Sequence, residues 1–315
     1  MDSDTRVRSE AGSAAASPDS LPSPLGRAAA MVVMLGSGLA SQTGAAVGAM
    51  AFPVLGPVGV VAVRQWVAAV ILLAVGRPRL RSFTWWQWRP VLALAAVFAT
   101  MNVALYSAID RVGLGMAVTL EFLGPLSVAV AGALTVAVAR RRLAVLACVA
   151  LAVTGVVVLT RPLPTTDYLG VGLGLLAALC WAGYILLNRT MGQRVPGVQG
   201  SAAAGALSAL VYVPIGIATL VVHPPTPTAI ACAAAAGLLS SAVPFVADLL
   251  VLRRVPAHFF GIFMSVNPVL AAAVGAVVLG EALGLVDWLA IALIVAANAI
   301  AVSPTLSGSV PRGTG

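Results

Sequence analysis

Ten stretches of this sequence are apolar over about the length that crosses a bilayer, and they leave little chain between them. They cover residues 28–50, 57–76, 90–109, 113–137, 143–160, 168–188, 199–222, 228–252, 256–279 and 284–302. About 20 apolar residues in a helix span the roughly 30 Å hydrocarbon core. Backbone groups in lipid must be paired within a helix or a closed barrel, and the alternating pattern of barrel strands is absent. The chain is therefore expected to be an all-α membrane protein with ten transmembrane helices. A soluble domain is excluded, because 9% of the residues are charged where soluble domains carry about 25%.

The arginines order these segments. Every one of the 18 basic residues is Arg. With the N-terminus inside, Arg6, Arg8, Arg27, Arg77, Arg79, Arg81, Arg89, Arg140, Arg141, Arg142, Arg189, Arg194, Arg253, Arg254 and Arg312 fall on the inner side. The outer loops hold Arg111 and Arg161, and Arg64 lies within a span. That bias follows the positive-inside rule, and Trp85, Trp86 and Trp88 stand where amphipathic rings favour the inner interface. The net charge of +8 thus reports topology rather than a nucleic-acid partner. An Ala-, Val- and Gly-rich chain without Lys suits a GC-rich bacterial source. It is expected in the bacterial inner (plasma) membrane, with N- and C-termini cytoplasmic. Residues 1–26 and 303–315 read as polar cytoplasmic tails, the first of them disordered.

The chain also repeats. Under one constant offset Arg111-Val112 falls on Arg254-Val255, Pro125 on Pro268, Gly132-Ala133 on Gly275-Ala276 and Leu146-Ala147 on Leu289-Ala290. The halves, 27–161 and 167–302, hold five spans each. Five is odd, so they form two inverted five-helix repeats. In transporters such repeats place a site near the membrane midplane.

Three charged side chains sit clearly within the spans: Arg64, Glu121 and Asp248. A charge in hydrocarbon is costly and needs a partner or a water-filled cavity. Arg64 and Glu121 each stand about two turns from the outer start of their spans, roughly 10–12 Å deep at 1.5 Å per residue. They can form a structural salt bridge, or they can hold a zwitterionic amino acid, Arg64 taking the carboxylate and Glu121 the ammonium or a proton. Pro125 frees the carbonyl of Glu121 from its helix bond. Asp248 follows Ser241 and Pro244 on one helix face and is a second proton-coupling candidate, or an ion-pair partner of Arg253 or Arg254. Gln42, Asn102 with Tyr106, Trp181 with Tyr184, and Ser265 with Asn267 complete the candidate substrate-binding set. Each of these can equally serve an interhelical hydrogen bond. Cys148, Cys180 and Cys232 lie in apolar segments at no metal-ligand spacing. No metal, cofactor or hydrolase motif is present, and the chain is not expected to be an enzyme.

Leu120-Glu121-Phe122-Leu123-Gly124-Pro125-Leu126, Ser240-Ser241-Ala242-Val243-Pro244 leading to Asp248, and Ser265-Val266-Asn267-Pro268 with Gly280-Glu281 carry a family resemblance. Gly56-Pro57-Val58-Gly59-Val60 with Arg64, Met101-Asn102 with Tyr106, and Cys180-Trp181-Ala182-Gly183-Tyr184 add to it. Over about residues 30–302 the chain resembles the EamA branch of the drug/metabolite transporter superfamily, most closely the threonine/homoserine exporters. The resemblance implies an inverted-repeat exporter of small amino acids driven by proton antiport. The chain departs from the family at Asn267, where a Glu is common, and at Asp248, where the acid is often Glu. That leaves Glu121 as the main coupling acid. The expected partners are an amino-acid substrate, protons and the lipid bilayer, and a homodimer stays open. The alternatives are an exporter of organic cations, which Arg64 argues against, or of other metabolites of the same superfamily, and an intramembrane lipid-modifying enzyme, for which no nucleophile–base pair is found.

Overall fold

A computed structural model of the chain describes residues 24–134, 139–160, 167–195, 199–244, 247 and 264–302. The described residues are almost wholly helical and contain no strand. In order they form α1 (Pro24–Ala49), α2 (Phe52–Gly76), α3 (Trp85–Val112), α4 (Leu114–Glu121), α5 (Leu123–Leu134) and α6 (Ala139–Thr160). Then follow α7 (Tyr168–Arg194), α8 (Gln199–Val222), α9 (Pro227–Gly237), α10 (Asn267–Val274) and α11 (Leu285–Val302). Among the described residues, six helical stretches are long and apolar enough to cross a membrane: Met31–Ala49, Phe52–Gly76, Trp85–Val112, Leu114–Gly132, Tyr168–Met191 and Gln199–Val222. Shorter apolar helices occupy Leu143–Leu159, Pro227–Ala242, Asn267–Leu279 and Leu285–Ala301. Apolar side chains such as Val32, Val70, Leu179 and Val221 face outward, as suits contact with lipid tails.

Local chemistry sets the helix ends. Thr84 and Gln87 close a capping box at the start of α3, satisfying backbone donors that a helix leaves open. Thr226 accepts from the Ala229 N–H at 3.2 Å with Pro227 in the first turn of α9. Gly113 joins α3 to α4 in a single residue at φ 84°, a left-handed conformation that glycine adopts without a Cβ clash. The fourth apolar segment is broken at Phe122, beside the Gly124-Pro125 pair that removes a helix bond.

Helices from the two halves of the chain pack against each other. α2 lies on α8, α3 on α7 and α8, α1 on α9 and α10, α4 on α10, and α6 on α11. The main core is built from Val60, Val61, Tyr106, Ile109, Val118 and Tyr212, with their neighbours. Two buried polar links tie it: Gln65 Nε2 donates to Ser208 Oγ at 2.8 Å, and Tyr212 Oη donates to the Ala99 carbonyl at 2.7 Å.

One end of the bundle is held by acids. The Glu281 carboxylate accepts from the backbone N–H groups of Leu114 (2.5 Å) and Gly115 (3.3 Å), capping α4 from the turn before α11. A carboxylate at a helix N-terminus satisfies orphan donors and meets the positive end of the helix dipole. Glu281→Ala is expected to lower unfolding stability by about 1–2 kcal/mol, read as a lower denaturation midpoint in detergent. Nearby, Arg111 and Asp167 pair at 3.0 Å. The Gly170 N–H, and then the Arg111 side chain, hold the Asp167 carboxyl below the usual carboxylate range. Such a group stabilises the fold above its ordinary pKa, about 3.9, and that contribution is lost as pH falls through its lowered folded value. The melting-temperature gap between wild type and Asp167→Asn is therefore expected to be small and steady near neutrality and to close in acid below about pH 4. The pair is exposed, so added salt should narrow the gap as well.

Candidate functional site

α2 bends where Gly56, at φ 65°, meets Pro57, and two turns later it presents Arg64 to the interior at 7% exposure. Three neighbours orient the guanidinium. Nη1 donates to Asn102 Oδ1 from α3. Nε donates to Ser240 Oγ at 3.2 Å. The guanidinium carbon stands 4.9 Å from the centre of the Tyr106 ring. These partners are themselves held, Asn102 Nδ2 by the Phe98 carbonyl at 2.7 Å and Ser240 Oγ by the Ala236 carbonyl. A Cβ on Gly237 would stand 2.7 Å from the Arg64 carbonyl oxygen, so a glycine there lets α9 approach α2 closely enough for Ser240 to reach.

Glu121, the last residue of α4, is also 7% exposed. Arg64 and Glu121 line one cavity of about 170 Å³. No nitrogen–oxygen contact of 4.0 Å or less joins them. A cavity of about 150 Å³ holds a benzene molecule, so this one has room for a small amino acid. Its apolar wall includes Leu105, Val118 and Phe122, with Trp181 meeting Phe122 edge-on at 4.6 Å between ring centres. Opposite, Gln42 Nε2 of α1 donates to Asn267 Oδ1 at the start of α10, 3.2 Å away, and Asn267 Nδ2 donates to the Met264 carbonyl at 3.0 Å. Gly38 makes room for this bridge, since a Cβ there would lie 3.1 Å from Asn267 Oδ1.

Of the residues singled out from sequence, Gln42, Arg64, Tyr106, Glu121, Trp181 and Asn267 line the cavity together. Asn102 stands behind Arg64 as its partner. Tyr184 packs on Phe98, 6.1 Å between ring centres, in the cluster around Val91 and Leu94, away from the cavity lining. Ser265 is buried and does not line it. Asp248 lies outside the described residues. Ser241 is replaced by its neighbour. The chain over Leu238–Ala242 is π-helical, and the added residue in that turn brings Ser240 to the cavity, leaving Ser241 Oγ buried without a partner.

Ser37 and Ser41 of α1 also line the cavity. With Gln42 and Ala45 they make a small and polar face at helical spacing, a pattern the sequence does carry. Gln65 was hidden beside Arg64, and Glu281 lay in a loop.

The chemistry available is an oriented guanidinium whose remaining N–H edge can take a carboxylate, and an unpaired carboxylate that can take an ammonium group or a proton. Arg64 and Glu121 make no salt bridge within 4.0 Å, and Asn102 and Ser240 hold the guanidinium's Nη1 and Nε.

Comparison with known proteins gives relatives and a fold match. The profile of the EamA-like transporter family matches residues 168–303. The chain is 35% identical over 274 residues to the threonine/homoserine exporter RhtA of Escherichia coli strain K12, a match covering 85% of this chain and 89% of the relative. It is 35% identical over 263 residues to the threonine/homoserine exporter RhtA of Salmonella typhimurium strain LT2, covering 82% and 85%. A protein of known crystal structure aligns with a TM-score of 0.58 at 19% identity, covering 87% of this chain and 96% of its own. At that identity the likeness is one of fold.

Proposed function

The chain belongs to the EamA-like transporter family, and from that premise we propose that it exports small amino acids of the threonine and homoserine kind across the inner membrane in exchange for protons. One observation carries the reading: Arg64 and Glu121 open onto a single cavity without pairing to each other. Opposite charges held apart in a small chamber match a zwitterion, whose carboxylate meets Arg64 and whose ammonium meets Glu121. A charged pair satisfied by each other would leave such a solute no partner. When the solute leaves, a proton takes its place on Glu121.

Alternating access needs two halves that rock about a fixed site, and ten spans in two inverted five-helix repeats supply them. The repeat in the sequence supports this architecture. So does the packing: counterpart segments of the two halves pair directly in α2 with α8, α4 with α10 and α6 with α11, and the α3–α7 pairing has its mirror in α1 with α9. Gln65 and Ser208, bonded to each other, occupy equivalent positions under the same offset that aligns Pro125 with Pro268. In this arrangement both termini are cytoplasmic. Asp248 would offer a second proton site on the eighth span.

An efflux screen tests the proposal. Cells lacking the protein and cells overexpressing it are loaded with amino acids, with and without an uncoupler. Faster, uncoupler-sensitive efflux of threonine or homoserine supports the reading. Efflux of organic cations with none of zwitterions would replace it with a cation exporter, for which the Phe122–Trp181 wall beside Glu121 would then be the recognition surface.

A further inference from the structure

At the end of the bundle opposite the acid-capped turns, two arginines meet one exposed indole. The Arg89 guanidinium carbon lies 5.3 Å, and that of Arg194 5.1 Å, from the centre of the Trp86 ring. Trp86 and Arg89 begin α3, and Arg194 ends α7, so the cluster straddles the seam between the two halves of the chain. Gln87 Nε2 ties that seam by donating to the Arg194 carbonyl at 2.9 Å. All three side chains are exposed, Trp86 at 64%.

Among the described residues, charge at this end has one sign. The carboxylates among the described residues are Asp110, Glu121, Asp167, Glu281 and Asp287. Asp167 pairs with Arg111 at the far end of α3. Glu281 caps α4 from the turn at Gly113. Asp287 accepts the Gly284 N–H, close to Glu281, and Asp110 neighbours Arg111. Glu121 is in the cavity. From Trp86 to Asp110 along α3 is about 36 Å at 1.5 Å per residue. Among the described residues, then, no carboxylate offsets the two guanidinium groups held against Trp86. A ring engages the face of a guanidinium and leaves its edge N–H donors free, and two such edges side by side suit one anionic, multi-oxygen acceptor.

We propose that Trp86, Arg89 and Arg194 form a binding site for the phosphate headgroup of an anionic phospholipid, bridging α3 and α7 at the membrane interface. Trp places its indole at headgroup depth, and basic pockets between membrane helices recognise anionic headgroups. The bound headgroup relieves repulsion between the two arginines and closes the seam at this end of the bundle. The site depends on the chain lying in a membrane. It does not depend on which solute is exported, and the test reads lipid binding rather than transport, so the two readings fail separately.

The test is native mass spectrometry of the purified full chain in micelles doped with phosphatidylglycerol or phosphatidylcholine. Wild type is expected to retain phosphatidylglycerol in preference to phosphatidylcholine. The double variant R89Q/R194Q should weaken that retention by about fivefold for each guanidinium removed, and W86L, which keeps both charges, should also weaken it. A control, R81Q/R189Q, removes two exposed arginines that do not stack on the indole and should keep the preference. Equal retention of the two lipids by wild type overturns the proposal. So does an equal loss in the control, which would mean diffuse surface charge, or an unchanged preference in W86L. Displacement of the lipid by millimolar inorganic phosphate alone would also overturn it, by marking a site for soluble anions.

Discussion

Glu121→Gln is expected to abolish uphill, proton-driven efflux while leaving the bundle folded. The carboxylate shares the cavity with Arg64 but makes no ion pair with it within 4.0 Å, the Arg64 Nη1 and Nε donors being directed at Asn102 and Ser240 and its face at Tyr106. The change from carboxylate to amide keeps shape and volume, so packing against Val118 and Phe122 is preserved. It removes the negative charge, and with it both the proton site and the charge-assisted bond to an ammonium group. Bonds to charged groups are worth about 1.5–3 kcal/mol, so solute affinity should fall by roughly 10- to 150-fold. The measurement is solute flux in proteoliposomes with and without an imposed pH gradient. Full gradient-driven efflux in the variant would remove Glu121 from the coupling role. A loss of folded protein, checked by its elution as a single species, would instead make Glu121 structural.

Gly124→Ala is expected to damage stability and transport together. A Cβ on Gly124 would sit well inside contact distance of the Ala178 carbonyl oxygen, and 3.1 Å from both the Ala178 carbonyl carbon and Trp181 Cβ. The obstacle is backbone of α7, which cannot swing aside as a side-chain tip can. α5 and α7 would have to separate, at a cost of about 1–3 kcal/mol for overpacking. That separation draws Trp181 away from Phe122 and opens the apolar wall of the cavity, so the transport KM should rise as well. Gly183→Ala, on α7, the other helix of this contact, is the control. The nearest atoms to its Cβ belong to Val97, at 3.8 Å and 3.9 Å, an ordinary contact, and it should melt within about 0.5 kcal/mol of wild type. Equal melting temperatures for the two variants would show that the close approach of α5 to α7 does not matter.

Much of the site was legible before the structure because membrane burial makes polar residues conspicuous. In lipid a charge must have a purpose, which singled out Arg64 and Glu121. The same reasoning reached Gln42, Asn102, Tyr106, Trp181 and Asn267, and all of these stand at or directly behind one cavity. Gly124-Pro125 marked the break after Glu121. Face arguments failed where the helix departs from 3.6 residues per turn. The π-helical turn at Leu238–Ala242 advances the register and puts Ser240 where regular spacing gave Ser241. Tyr184 shares a face with Trp181, but one turn farther along α7 the neighbour is Phe98.

Apolar length and arginine placement in the amino-acid sequence determined that this is a helical membrane protein, because unpaired backbone in lipid is too costly for any other open form. They also determined which few polar groups it carries into the apolar interior. Who those groups touch was decided by tertiary structure alone. Whether Arg64 meets Glu121, or Asn102 and Ser240, depends on how closely α9 approaches α2 at Gly237, and whether Glu281 is a loop residue or the cap of α4 depends on the turn at Gly113. Hydrogen bonds and ion pairs form over a few ångströms, and periodicity along one helix says which way a side chain faces without saying what stands there.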